Sequence, residues 1–302
     1  ITENNWLGNG IKLSSFLDAS KDSLKGAISV TNPNYNYSGN AVSFQVSNET
    51  NDKPDSGFKN NISSIGVSTS FEQYKNVYLS PSIDFTYDDL EVQSNASSGL
   101  KKQAGTFSDL TLSYGVAVDN RDRAYNPTDG YYSRFAQSLP VIADAPFLKN
   151  TYTFSKYNSF GPNIIGAFKF HANSITGFDE DVRISKRLGL SSRKLRGFEA
   201  GKVGPKDGND YIGGNYSTAI NFEAALPNFL PDSTKTDVGL FLDMGNVWGV
   251  DYDSSINDSN AIRSSTGLGL DILTPVGPLS FSLAQTLSKK NTDKTESFRF
   301  NL

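Results

Sequence analysis

Chemistry needs side chains of the right type within reach of one another, and this 302-residue chain offers few. His171 is its only imidazole and cysteine is absent. A Ser-His-Asp triad or a His-pair zinc site would have to be built on that one residue, and thiol chemistry is excluded. His171 lies near the end of an alternating segment with no motif around it, which reads as a wall or rim position. GFEAGKV, from Gly197, has three residues between its glycines where a phosphate loop needs four, and no Ser or Thr follows Lys202. In DYDSSINDSN, Asp251, Asp253, Asn257 and Asp258 carry oxygen donors, but Ser255 and Ile256 stand where a calcium loop wants Asp or Asn followed by Gly. A solvated loop fits 251–260 better. Nothing nominates a carboxylate pair for glycoside hydrolysis, so neither an enzyme activity nor a cofactor is expected. Two acids do stand out, Glu223 and Asp243, each on the small, polar face of an alternating segment. Either they line a wet pore or they receive a partner. A candidate partner is an arginine carried in by SSRKLRGFEAGKVGPKDGNDYIGG, residues 191–214, around Leu195-Arg196-Gly197.

The elements that must position these groups show a period of two. NYSTAINFEAALP puts Tyr216, Thr218, Ile220, Phe222, Ala224 and Leu226 on one face, and Ser217, Ala219, Asn221, Glu223 and Ala225 on the other. SDLTLSYGVAVDN and GPLSFSLAQTL repeat the pattern, and in DVGLFLDMGNVW Asp243 opposes Val238, Leu240 and Leu242. Such segments fall near residues 11–18, 24–31, 40–47, 63–72, 77–88, 109–119, 130–139, 150–158, 163–172, 215–226, 237–247, 264–273, 279–287 and 297–302. That is about fourteen strands and no helix, in segments of about ten residues against about five or six in soluble sheets. NPNYNYSGN, EQYKN, NSFGPN and TPVGP are compact connections. SNETNDKPDSGFKNN, residues 88–108, residues 173–214 and VDYDSSINDSN are long and charged. Long and short connections in alternation place the long ones at one end, as in a membrane barrel with long extracellular loops and short periplasmic turns. A polar strand face is costly against a dry sandwich core but suits a water-filled lumen. The fold expected is all-β: a transmembrane antiparallel β-barrel over residues 1–302, with Glu223 and Asp243 facing its lumen.

Composition agrees. The chain has 20 Phe, 14 Tyr and 26 Gly against one Met, which favours strands over packed helices. A net charge of −4 argues against a nucleic-acid partner. No apolar run approaches a spanning helix, and the mean hydropathy of −0.41 is polar. A barrel escapes that test because only alternate residues face lipid. Ile1-Thr2-Glu3 opens the sequence with no leader-like stretch, so a signal was removed or the chain is an excised piece.

KLRGFEAGKVGPK, followed by YIGGNYSTAINFEAALPNF, FLDMGNVW and TGLGLDILTPVGPLSFSLAQ, resembles the barrel domain of the BamA family of outer-membrane β-barrel assembly factors. NNWLGNG, ISVTNP and NPTDGYY agree, so the resemblance covers essentially the whole chain. It implies a sixteen-stranded barrel whose sixth extracellular loop folds into the lumen, with an Arg-Gly-Phe motif on inner-wall carboxylates. Here these are Arg196, Gly197 and Phe198, with Glu223 and Asp243 as acceptors. Gly197 would allow close backbone approach, Phe198 would pack, and a planar guanidinium binds carboxylates in fixed geometry. Set against that resemblance, the chain is expected to lack the family's first two strands, its periplasmic repeat domains and its last few residues. SFRFNL, with Phe298, Phe300 and Leu302, resembles the last strand. The function implied is insertion of unfolded outer-membrane proteins by strand augmentation at a lateral seam. Partners would be those clients, accessory assembly lipoproteins and outer-membrane lipid. The alternatives are a translocation/assembly paralogue or two-partner secretion transporter of the same superfamily, or a passive porin.

Overall fold

The computed structural model describes residues 1–20, 22–37, 39–161, 164–226, 236–257, 261–274 and 277–301. Leu302 and Asp258, both named above, lie outside the described residues. In chain order the strands are β1 (Thr2–Trp6), β2 (Ile11–Ala19), β3 (Ser23–Tyr35), β4 (Asn40–Lys53), β5 (Phe58–Tyr74), β6 (Val77–Leu79), β7 (Ser82–Val92), β8 (Gly105–Asp119), β9 (Gly130–Ala143), β10 (Phe147–Ser159), β11 (Ile165–Gly177), β12 (Lys206–Asp207), β13 (Asp210–Tyr211), β14 (Tyr216–Ala225), β15 (Thr236–Trp248), β16 (Arg263–Thr274), β17 (Gly277–Ser288) and β18 (Phe298–Asn301). Apart from β12 and β13, which pair with each other, all join one antiparallel sheet of sixteen segments in which neighbours in sequence are neighbours in space. β6 and β7 lie end to end between β5 and β8. They are interrupted at Ser80 and Pro81, where proline has no N–H to give the ladder.

All fourteen expected strands are present, with β1 in addition. Its sequence, TENNW, is exposed throughout and has no apolar alternation to read. Several strands run further than the pattern suggested. β4 reaches Lys53 and β5 begins at Phe58, so SNETNDKPDSGFKNN is mostly ladder rather than a long loop. Side chains hold this polar end in register: Asn51 Nδ2 donates to Asn60 Oδ1 at 3.1 Å, and Asn60 Nδ2 to Asp88 Oδ1 at 2.7 Å. The strict alternation of connections is therefore not kept. The long connections 93–104, 178–215, 249–262 and 289–297 lie at one end, but 54–57 and 144–146 on that end are short, and 120–129 at the other end is as long as 289–297. The first of them holds a four-residue helix, α1 (Ser98–Lys101), where none was expected; the Ser97 hydroxyl caps it, accepting the Leu100 N–H at 3.2 Å.

The sheet is wrapped on itself. Lys202, in the connection 178–215, pairs with Asp55 just before β5, while its carbonyl accepts the Lys294 N–H, just before β18, at 3.2 Å. From β5 to β17 the sheet runs through nine strand spacings. At about 4.8 Å each, a flat sheet would separate them by about 40 Å, far beyond one lysine. The convex face carries exposed Ile28, Phe44, Val46, Ile65, Val67, Phe85, Leu112, Phe222, Leu240, Leu268 and Leu283, a belt suited to lipid. The concave face carries Ser, Thr, Asn, Gly and acids, and the connection 178–215 sits against it.

Candidate functional site

The connection 178–215 follows β11 and is pinned at successive points to opposite sides of the lumen. Arg183 pairs with Asp109 on β8, Ser185 Oγ donates to Asp88 Oδ2 on β7 at 2.8 Å, and Arg187 pairs with Asp251. Asp251 also accepts the Val182 N–H at 3.0 Å and the Asn215 amide at 2.8 Å. Burial pushes the Asp251 carboxyl upward, but the Val182 N–H, Arg187 and Asn215 more than offset this and hold it below the usual aspartate value. Asp251 is thus a loop anchor, and Asp253 bonds Ser255 within its own turn; among the described residues no metal-ligand group is assembled there.

Past residue 190 the chain turns onto the wall formed by β14 to β17. Arg196 meets both acids singled out in the sequence. Its Nε donates to Asp243 Oδ2 and its Nη2 to Asp243 Oδ1, both at 2.7 Å, while Nη2 also donates to Glu223 Oε1 at 2.9 Å. The Arg196 backbone N–H donates to Asp243 Oδ2 at 3.0 Å, so one carboxylate fixes side chain and main chain together. The guanidinium lies 3.8 Å from the centroid of the Phe241 ring, two residues along β15 on the same face. Burial alone would weaken the guanidinium's hold on its proton, yet Asp243 and then Glu223 keep Arg196 above the ordinary arginine value.

The wall is shaped to admit this. Gly197 has φ +85°, and a Cβ there would lie 3.1 Å from the Cβ atoms of both Ala284 and Ser265. Ser265 Oγ donates to the Arg196 carbonyl and Thr286 Oγ1 to the Gly197 carbonyl, the latter at 3.3 Å. Phe198 is buried among Leu190, Leu195, Val203, Ala219 and Val247. Asn221 Nδ2 donates to Asp243 Oδ1 at 2.8 Å and to the Lys194 carbonyl at 2.9 Å. Ser217 and Asn221, on the face expected to meet water, are instead buried, Asn221 beneath the loop at Lys194. Lys169 on β11 also reaches Glu223, at 2.5 Å, so among the described residues the two acids differ: Glu223 has a second cation and Asp243 does not.

His171 faces inward on β11, its Nδ1 2.9 Å from Thr153 Oγ1. Phe298 and Phe300 point outward on β18, their rings 6.4 and 5.1 Å from that of Phe281. Sequence reasoning missed Asp88 and Asp109, although both stand at inward positions of their strands, and it missed the buried pair of Arg263 with Asp293.

The family model of the Omp85 superfamily domain matches residues 5–302. The chain belongs to the Omp85 superfamily. Among the relatives of this Omp85 chain, the outer membrane protein assembly factor BamA of Neorickettsia risticii is 28% identical over 218 residues, 70% of this chain and 29% of that protein. A SAM50-like protein of Schizosaccharomyces pombe is 29% identical over 212 residues, 66% of this chain and 44% of that one. The chain thus spans less than half the length of either. The crystal structure of BamA from Haemophilus ducreyi lacking POTRA domains 1–3 superposes with a TM-score of 0.89 at 23% identity, covering 99% of this chain and 65% of that one. The Omp85 fold is the antiparallel transmembrane β-barrel built above, and the protein is one of the bacterial outer membrane.

Proposed function

We propose that this Omp85 barrel inserts unfolded β-barrel proteins into the outer membrane, without ATP and without a covalent step. The observation that carries the reading is the docked motif. Arg196 ties the lumen loop to β14 and β15, and the bonds from Ser265 and Thr286 extend the hold to β16 and β17, next to the terminal strand. The names of the relatives, assembly factors among them, support it. In this reading an incoming client strand adds at the seam of the barrel, with main-chain bonds giving affinity and alternating side chains giving register. Outer-membrane lipid would bathe the convex face, and accessory lipoproteins are the further partners this reading expects.

The test is reconstitution of the full-length protein in lipid vesicles with an unfolded outer-membrane client. The wild-type protein should accelerate client folding and the Arg196→Ala variant should not. Equal acceleration by both would refute the docked-motif mechanism. A steady ion conductance with no acceleration would favour the porin alternative, and passage of a secreted substrate would favour the transporter.

A further inference from the structure

The largest side chain hidden completely among the described residues is Arg263, at the start of β16. Its Nε and Nη2 donate to Asp293 Oδ2 and Oδ1 at 2.9 and 3.0 Å, and its Nη1 donates to Asn246 Oδ1 on β15 and to the Ala261 carbonyl. Asp293 belongs to the connection 289–297 and also accepts the Lys290 N–H at 2.6 Å. One carboxylate therefore shapes that connection and fastens it to the wall.

The fastened connection lies alongside the lumen loop as a short ladder. Phe198 and Thr295 form an antiparallel bridge. The Glu296 N–H donates to the Gly197 carbonyl at 3.1 Å, the Glu199 N–H to the Lys294 carbonyl at 3.1 Å, and the Lys294 N–H to the Lys202 carbonyl at 3.2 Å. Tyr211 Oη adds a bond to the Thr292 carbonyl at 2.7 Å. On its other side the Ser297 carbonyl accepts the Ala284 N–H at 2.8 Å, and the next residue begins β18.

We propose that Arg263 and Asp293 are positioning residues for the Arg196-Gly197-Phe198 motif. They hold 289–297 as the edge on which residues 197–202 pair, so that the motif and the terminal strand shift together. Neither residue touches Arg196. Their effect passes through the ladder, which on the 289–293 side is fastened to the wall by a buried charge pair that fails when one partner is removed. The structural coupling rests on these contacts; its consequence for client insertion rests on the insertase reading.

Backbone hydrogen exchange on the full chain in vesicles tests it, in parallel with the insertion assay. Asp293→Asn should speed exchange about tenfold in segments 197–202 and 294–296 alike, the signature of a shared local opening. Arg196→Ala should in turn speed exchange at 294–296, since coupling is reciprocal. The chain has no cysteine, so Glu199→Cys with Lys294→Cys can tie the two segments. Once oxidised, this pair should restore protection of 197–202 in the Asp293→Asn background, which a merely structural role for Asp293 would not predict. Glu296→Pro keeps the ion pair and removes one ladder bond; it should also loosen 197–202 and serves if Asp293→Asn does not fold. Faster exchange confined to 289–296, with 197–202 unchanged, overturns the proposal. The shared pattern with client insertion unaffected in every variant upholds the coupling and counts against the insertase reading instead.

Discussion

Arg196 divides its charge unequally between two acids, and the inequality predicts which substitution hurts more. Asp243 has no exposed side-chain surface and draws its positive charge from Arg196, whereas Glu223 keeps Lys169. Asp243→Asn should therefore release the loop more than Glu223→Gln, read as protease cleavage within residues 191–214. Arg196→Ala should weaken loop anchoring by about 2 to 3 kcal/mol, under the roughly 3 to 5 of a fully buried pair, because Asn221 still donates to the stranded carboxylate. Arg196→Lys should restore only part of this, since an ammonium lacks the two-pronged geometry. Asp251 contributes a pH dependence to the anchoring of the loop. Its folded value lies below the ordinary aspartate value of 3.8, so its contribution is complete above that value and is lost as pH falls through the lower folded one. Acid titration of loop protection should show the wild type loosening in that window and Asp251→Asn, already loosened, changing little.

At the scale of elements, the strand wall is fitted to its loop by small residues. Gly197→Ala should cost about 1 to 2 kcal/mol for the left-handed backbone alone, with further cost from the contacts with Ala284 and Ser265; faster exchange at 294–296 than in the wild type is the check. At Gly267 a Cβ would meet the Leu283 carbonyl at 1.9 Å and the Phe241 ring at 2.8 Å, so Gly267→Ala should displace the ring under Arg196. The sequence made the middle of each strand legible because lipid demands apolar residues at alternate positions, as in Phe222 opposite Leu242. It hid the strand ends, where Asn51, Asn60 and Asp88 keep register through side-chain hydrogen bonds that leave no apolar trace. Arg196 with Glu223 and Asp243 could be named because a motif marked one partner and parity the others. Arg263 with Asp293 could not, because the acid sits in a loop, where no period tells which way a side chain points.

For the molecule as a whole, the two faces of one strand should answer differently to charge. Phe222→Arg on the convex face should cost about 2 to 4 kcal/mol if it lies near the membrane midplane, while the adjacent inward position answers to the loop instead. A cysteine at Asn221 should resist a water-borne thiol reagent in the wild type and react once Arg196→Ala frees the loop; equal reactivity in both would show that the loop does not cover it. The contact of Lys202 with both Asp55 and Lys294 has a consequence for how the protein comes to be folded. A connection touched from both flanks of the wall ties its own docking to their approach: the two contacts can coexist only once the strands on either side have been brought around it. The Lys202–Asp55 contact alone spans 147 residues of sequence, a separation that makes its formation slow and late. The slow step of folding should therefore be the one that brings Asp55 and Lys294 to the two sides of residues 191–214.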